Sequence, residues 1–564
     1  MEKKWWKEAV VYQIYPKSFK DSNNDGVGDL QGILEKLDYI ADLGVDVIWL
    51  NPIYQSPQVD NGYDISDYRK INPLFGTMDD FDQLLQEVHK RGMRLIMDMV
   101  LNHISDQHIW FKEAIKSKNN PYHEYFIWQP AKNGKEPNNW GNYFYEGRGS
   151  AWEWNEATGE YYLHQYSKHM PDLNWESPKL KAEMIDMLTW WCEKGIDGFR
   201  LDAVNRLVKP KGFPDSHRPP TPPVGVNGFV VDREMCANCP GIHELLHELN
   251  QKVFSKYNLM TVGETGNLKS DIAIDYVNEE REEINMLFHF EIAKNQHLVS
   301  VSEFKDIQKR WYKVIEQNGW ITQYLSNHDS PRQVSRFADD KEYRIPSAKM
   351  LAILIHTLPG TPYVYQGEEI GMTNVDFPTI DYYNEQYTVG KYHTMVEKGK
   401  DPQEALDSLK MMSRDNVRTP MHWNNNLNAG FSEGKPWLAV NPNYSEINVE
   451  KDKKSEESIR DLYKTLIKMR KKYELLVYGN YQPILEDYDN IVAYTRSFGD
   501  EKWLMIFNFQ KQHQQVVLPK ELINSKTELL LANYEVNANE TKTTHLKPYE
   551  ARVYKVFSEK GNAK

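Results

Sequence analysis

Cysteine is nearly missing: three residues in a chain of 564. That excludes the disulfide framework on which small secreted domains depend. No run of about 18 apolar residues occurs, so no transmembrane helix is expected. The N-terminus, Met-Glu-Lys-Lys-Trp-Trp-Lys-Glu, passes directly into the strand-like stretch Ala9–Tyr15. It holds no apolar stretch long enough for a secretory leader, and a soluble cytoplasmic protein of bacterial type is expected. A positive excess is also lacking. The net charge is −13, spread along the chain, which argues against nucleic acid and anionic membranes as main partners. Aromatic residues, in contrast, are plentiful, with 16 Trp and 34 Tyr. Such flat amphipathic rings suit sugar faces, although most of them serve packing.

Short apolar runs alternate with helical patterns through most of the length. Strands are expected at Ala9–Tyr15, Val45–Leu50, Arg94–Val100, Gly198–Ala203, Met260–Gly263, Gln323–Leu325 and Tyr363–Tyr365. Leu30–Leu43 and Phe81–Arg91 have helical spacing. This rhythm predicts an α/β protein, a (β/α)8 barrel of parallel strands, over residues 1–103 and 175–482. Residues 104–174, rich in Trp, Tyr, Asn and Gly, read as a small β-rich subdomain inserted after the third strand. Residues 375–412 follow the last barrel strand and should overhang the same face. Short strands without intervening helices over 483–564 predict a C-terminal antiparallel β-sandwich.

Three acidic segments stand at strand ends: Asp197–Ala203, Val262–Thr265 and Ser326–Asp329. In a parallel barrel all such ends share one face, so Asp202, Glu264 and Asp329 can meet in one pocket. Two opposed carboxyl groups are what cleavage of a glycosidic bond requires. A lone Asp after a strand is more often a cap or a salt-bridge partner. Arg200, two residues away on the same strand face, would hold Asp202 ionised as a nucleophile needs. Glu264, as acid/base, needs a raised pKa from burial and from Asp202.

Asp98–His103, Gly198–Asp202, Glu264 and Asn327–Asp329 resemble the signature regions of the α-amylase family, glycoside hydrolase family 13. Pro171–Trp175 resembles a fifth region. Trp5–Pro16, Asp60–Asp64 and Arg414–Trp423 resemble the oligo-1,6-glucosidase and α-glucosidase branch. The likeness covers nearly the whole chain, and the segments follow the family's order. It implies a retaining exo-glucosidase acting on a small oligosaccharide through a covalent glucosyl-enzyme, with transglycosylation as a side reaction. Asp202 would be the nucleophile, Glu264 the acid/base and Asp329 the carboxylate that supports the distorted sugar. The likeness places His103 and His328 on glucose hydroxyls and Tyr63 as the stacking platform. Asp60 and Arg418 would pair at the inner end, with Arg414 a rival for that role. Asp98 would orient the third strand's end.

The relatives that prefer α-1,6 links, and those that cut trehalose 6-phosphate, resemble one another in having Val after the nucleophile. This chain has Ala203, which leaves room for an α-1,4 aglycone. Maltose and short malto-oligosaccharides are therefore the expected substrates, with sucrose a further candidate and α-1,6-linked isomaltose the alternative. A methyl-scale difference is worth only about 1–3 kcal/mol. Met170, Tyr166, the stretch 145–149 and residues 204–240, with Pro219–Pro223, depart from the family pattern on the expected aglycone side.

Asp21, Asn23, Asp25, Val27 and Asp29 have the spacing of a calcium loop, with Gly26 at its sixth position but Gly32 where a bidentate Glu belongs. A polar turn is the plain alternative. The branch resemblance favours a structural Ca2+, with Mg2+ the other candidate, and no organic cofactor. His243–His247 matches HExxH and Cys236–Cys239 matches half a zinc site. Leu245, Leu246 and Val253 make this segment an ordinary amphipathic helix instead. A monomer or weak homodimer is expected.

Overall fold

The computed structural model describes residues 2–144, 149–219, 228–292, 300–536 and 543–557. Eight parallel strands form the barrel: β1 Val11–Ile14, β2 Val47–Leu50, β3 Arg94–Val100, β4 Gly198–Asp202, β5 Met260–Thr265, β6 Met286–His289, β7 Thr322–Gln323 and β8 Thr361–Tyr365. They pair in the order β6-β5-β4-β3-β2-β1-β8-β7. A parallel bridge between Leu287 and Ile321 brings the two ends together. Covered by helices on the outside and filled by side chains on the inside, these strands are buried almost throughout, which is why they read as continuous apolar runs. At the start of β4 only glycine fits: a Cβ on Gly198 would lie 2.0 Å from the Met260 carbonyl oxygen of β5.

The surrounding helices begin where local chemistry dictates. Thr77 and Asp80 form a reciprocal capping box at Met78–Lys90, and Ser177 with Pro178 opens Pro178–Glu193. Two sequence expectations change. Leu30–Leu43 is two helices, Leu30–Glu35 and Leu37–Leu43, broken where Lys36 leaves helical geometry. The strand that the sequence pattern does not mark is β6, Met286–His289.

The chain between β3 and the next barrel helix holds a three-stranded antiparallel sheet of Trp128–Gln129, Trp152–Asn155 and Glu160–Leu163. Its small core (Ile127, Trp140, Trp152, Leu163) also takes in Cys236 and Phe213 from the long β4 loop. That loop therefore joins the insertion to the barrel, which it also meets through Asn238 and Tyr276. After the barrel, β9 Asn480–Ile484, β10 Ile491–Phe498, β11 Glu501–Asn508, β13 Lys526–Ala532 and β15 Ala551–Phe557 form one antiparallel sheet. A two-stranded ladder of β12 Gln514–Val517 and β14 Thr543–Leu546 forms a second sheet. Ile491, Leu504, Ile506, Val516 and Leu546 pack together in one core. No helix among the described residues is long and apolar enough to cross a membrane.

Candidate active site

Barrel register brings the acidic strand ends together. Asp98 of β3 and Val262 of β5 lie opposite Arg200 of β4. Two residues further on, the same register sets Asp202 beside Glu264. Arg200 sits at the centre of these carboxylates. Its Nη1 is 2.8 Å from Asp98 Oδ1 and 2.7 Å from Asp202 Oδ1, and its Nη2 is 3.1 Å from Glu264 Oε2. The backbone N–H of Ala203 donates to the same Glu264 oxygen at 3.0 Å. Ala203 achieves this by leaving β4 in the left-handed region, φ 45°, before the tight turn Val204–Arg206.

Asp202 and Glu264 thus share one guanidinium, Asp202 through Nη1 and Glu264 through Nη2. Burial, then the charge of Glu264, push Asp202 well above the usual carboxylate range, and Arg200 pulls the other way without prevailing. The sequence expectation assigned the ionisation of Asp202 to Arg200; burial and the charge of Glu264 act against that guanidinium. Asp98 is fully buried, and burial lifts it to about 6 against the pull of Arg200.

A second network lies behind. Gln13 Nε2 is 2.9 Å from His328 Nδ1. An amide nitrogen can only donate, so Nδ1 accepts and the His328 proton is on Nε2. That N–H donates to the Tyr63 hydroxyl at 2.7 Å, and Tyr63 donates to Asp98 Oδ2 at 2.9 Å. The Tyr63 and His328 rings stack, 5.6 Å apart. Burial carries both His328 and His103 down to about 3, so both are neutral imidazoles.

Asp329 accepts from Arg418 Nη2 at 2.7 Å, and Arg414 Nε is 3.6 Å away. Burial opposes ionisation of Asp329, but these guanidiniums outweigh it and hold the carboxyl far below its usual range. The expected pair of Asp60 with Arg418 is not formed. Arg418 is spent on Asp329 and on the His328 carbonyl. No ion pair within 4 Å joins Asp60 to Arg414 either. Asp60 instead presents its carboxyl to the cavity, raised to about 7 by burial against both arginines.

These groups surround a cavity of about 530 Å³. Asp60, Tyr63, His103, Ala203 and Arg418 reach its wall together with Asp202, Glu264 and Asp329. Arg200 and His328 stand behind it. Residues that sequence reasoning did not single out also line it: Tyr143 and Phe144 from the insertion, Arg206 and Arg233 from the β4 loop, and Tyr387 from the segment after β8. The only available signal was position, since each falls in a loop already expected to overhang the face. Tyr166 reaches the wall as well, whereas Met170 is buried and does not line the cavity. Tyr145–Arg148 and Pro220–Pro223 lie outside the described residues.

The 21–29 loop is remote from this cavity. Asp21 accepts the N–H groups of Asn23, Asn24 and Gly26. Asn23 accepts from Asp25, Asp25 from Val27, and Asp29 from Ser22 and Gly32. The donor set is oxygen throughout, which suits a hard cation. Among the described residues, no group of three His, Cys, Asp or Glu side chains is arranged to hold a metal ion. His243 pairs with Glu283 and His247 with the Arg281 carbonyl, so HExxH is structural here. Cys236 and Cys239 are buried free thiols.

The alpha-amylase catalytic domain family matches residues 13–479, and the alpha-amylase SusG C-terminal domain matches residues 491–553. The chain is 50% identical to an oligo-1,6-glucosidase of Parageobacillus thermoglucosidasius, over 99% of this chain and 100% of that one. It is 45% identical to a trehalose-6-phosphate hydrolase of Bacillus subtilis (strain 168), over 98% of each. The crystal structure of a Bacillus licheniformis trehalose-6-phosphate hydrolase mutant superposes with a TM-score of 0.93 at 45% identity, covering 99% of this chain and 100% of that one. With the family spanning the barrel and the acidic strand ends gathered in one cavity, the chain belongs to the α-amylase family, glycoside hydrolase family 13, and is a retaining glycoside hydrolase acting on small oligosaccharides.

Proposed function

We propose that this enzyme removes single glucose units from the non-reducing end of short α-1,6-linked gluco-oligosaccharides. The observation that carries the reading is the cavity end built by Asp60 and the Asp329–Arg418 pair. Charged groups of this kind grip the hydroxyls of a terminal sugar, which suits removal of one glucose at a time. The α-1,6 linkage is supported by the relatives named oligo-1,6-glucosidase, at 48–50% identity.

In this reading the anomeric carbon enters between Asp202 and Glu264. Arg200 stays on Asp202, which attacks C1 as the carboxylate, while Glu264 carries the proton that it passes to the leaving oxygen. Glu264 then takes a proton from water as that water cleaves the glucosyl-Asp202 ester, and the product keeps the α configuration. Asp329, His103 and Tyr63 hold the sugar during both steps.

Ala203 supports a second reading, α-1,4 cleavage of maltose. Glucose release from isomaltose, maltose and sucrose should be compared side by side. Isomaltose is expected to be preferred; a maltose preference would transfer the conclusion to the second reading. Ala203→Val should raise the isomaltose-to-maltose ratio of kcat/KM by about tenfold, the worth of one or two methyl groups crowding an aglycone. It should also cost stability, because a β-branched side chain is strained at positive φ. An unchanged ratio would remove residue 203 from linkage selection.

The 21–29 loop is the proposed site of a structural calcium ion, held by Asp21, Asn23, Asp25, Asp29 and the Val27 carbonyl. Chelation should lower the melting temperature by several degrees, and calcium should restore it, since a ligand at 100 times its Kd stabilises by about 2.7 kcal/mol. Magnesium tested in parallel identifies the ion. A melting temperature indifferent to chelator and to both ions would leave the loop a turn closed by its own hydrogen bonds.

A further inference from the structure

The cavity wall contains four arginines with unequal partners. Arg414 and Arg418 share the carboxylate of Asp329. Among the described residues, no carboxylate lies within 4 Å of Arg206 or Arg233. Arg206 follows the nucleophile by four residues, on the turn Val204–Arg206, and is only 3% exposed. Its Nη1 donates to the Tyr143 hydroxyl at 2.9 Å, and its guanidinium lies 4.9 Å from the centre of that ring. Arg233, exposed at the cavity mouth, lies 5.0 Å from the same ring and donates to the Tyr143 carbonyl at 3.3 Å. Tyr143 is buried and fixed in turn by Tyr166, set edge-on at 5.4 Å.

Two like charges held against one ring repel each other, and a buried guanidinium without a counter-ion costs free energy. Cation–π contact recovers only part of that. None of the nitrogens of Arg206 is a buried donor left without a partner, so those not bonded to Tyr143 open onto the cavity. Of the carboxylates on this wall, Asp202 and Glu264 lie against Arg200, Asp329 against Arg418, Glu385 caps the N–H groups of Tyr387 and Thr388, and Asp60 pairs with neither Arg414 nor Arg418; the charge of Glu264 also reaches Arg206, without an ion pair. The pair stands on the Ala203 side, where the leaving group must sit. A planar fork with free N–H groups is the residue type that selects phosphate or carboxylate.

The geometry points to an anion-binding aglycone subsite: Arg206 and Arg233, clamped on Tyr143, select α-glucosides whose leaving group carries a phosphate or a carboxylate. This rests on the exo-glucosidase reading above. It adds a substrate class that linkage alone does not define.

The test uses one aglycone skeleton in three charge states. Purified enzyme is given 2-O-α-glucosylglycerol, 2-O-α-glucosylglycerate and 2-O-α-glucosylglycerol 3-phosphate, with isomaltose as the neutral control. At least one anion should exceed glucosylglycerol in kcat/KM by about tenfold or more, and the order of the two anions separates carboxylate from phosphate. Arg206→Gln and Arg233→Gln should each reduce the anion-to-neutral ratio by about tenfold, as loss of a charge-assisted contact does. Added salt should shrink the ratio in the parent enzyme, since the Arg233 arm is open to solvent. Arg233→Gln, at an exposed position, keeps the test usable should Arg206→Gln misfold. Calorimetry of the same three glucosides on Glu264→Gln reads the preference from affinity. Cleavage of isomaltose with equal or weaker handling of both anions would overturn this subsite and leave the glucosidase reading standing. Absence of all cleavage, with anions still bound tighter than glucosylglycerol, would do the reverse.

Discussion

Asp202→Asn should lower kcat on isomaltose by at least about 10⁴-fold while the protein folds normally and melts no earlier than the parent. An amide nitrogen or oxygen cannot form the ester that splits the reaction into two steps, and losses of this order are usual when a covalent nucleophile is removed. In activation free energy the loss is about 5 kcal/mol or more. The stability half follows from the direction of the Asp202 shift. A carboxyl whose folded pKa is raised leaves the native state binding more protons than the unfolded chain. Stability is then fully present below the ordinary carboxyl pKa and is lost as pH rises through the raised value. At neutral pH the parent bears that cost, imposed by burial and by Glu264. Asparagine removes it. Arg200 is not stranded, because Asp98 at 2.8 Å and Glu264 at 3.1 Å still hold it. Asp202→Ala adds a stereochemical reading: azide entering through the vacated face of an activated glucoside should give the β-glucosyl azide. Activity above about 1% of the parent in Asp202→Asn would mean that another group attacks C1.

The same cluster indicates what a sequence can and cannot disclose. Asp202, Glu264 and Asp329 were legible because each ends a short apolar run, and a parallel barrel sends all such ends to one face. Arg200 was legible by alternation along one strand. Partner choice was not. Whether Arg418 takes Asp60 or Asp329 depends on where two loops from opposite ends of the chain come to rest, and no spacing encodes that. Protonation was not legible either. Alternation places Arg200 beside Asp202, but the rank of burial over charge needs the enclosed volume. Arg206 and Arg233 escaped because isolated arginines in a loop are ordinarily solvated; what distinguishes them is the lack of a carboxylate partner, a property of three-dimensional neighbours. The aglycone wall is built from the insertion, the β4 loop and the segment after β8, three pieces with no common pattern. For that reason linkage and aglycone charge are the least legible parts of the function, while the reaction class is the most legible.

Glu264→Gln should separate the two steps that Asp202→Asn abolishes together. Glutamine keeps the shape and an oxygen for the Ala203 N–H and Arg200, but it can neither donate a proton to the leaving oxygen nor take one from water. For isomaltose, whose leaving alcohol needs that proton, kcat should fall by about 10²–10⁴-fold. For an aryl glucoside with an acidic phenol the first step needs no acid and should stay near the parent rate. Hydrolysis of the ester still needs a base, so the glucosyl-enzyme should accumulate, visible as a burst of phenol and as one added glucosyl unit in the intact mass. Azide needs no base and attacks this ester from the face opposite Asp202, so the product should be the α-glucosyl azide, the opposite anomer from the Asp202→Ala result. The pH profile discriminates further. In the parent, activity requires one proton on the Asp202–Glu264 pair, so it should fall at both extremes; in Glu264→Gln with the aryl substrate the alkaline limb should vanish, leaving only the acid limb of Asp202. A buried glutamate with a merely structural role would depress good and poor leaving groups alike and leave the shape of the profile intact. Opposite azide anomers from the two variants, with the alkaline limb lost in only one, would assign nucleophilic attack to Asp202 and both proton transfers to Glu264, which distances alone cannot do.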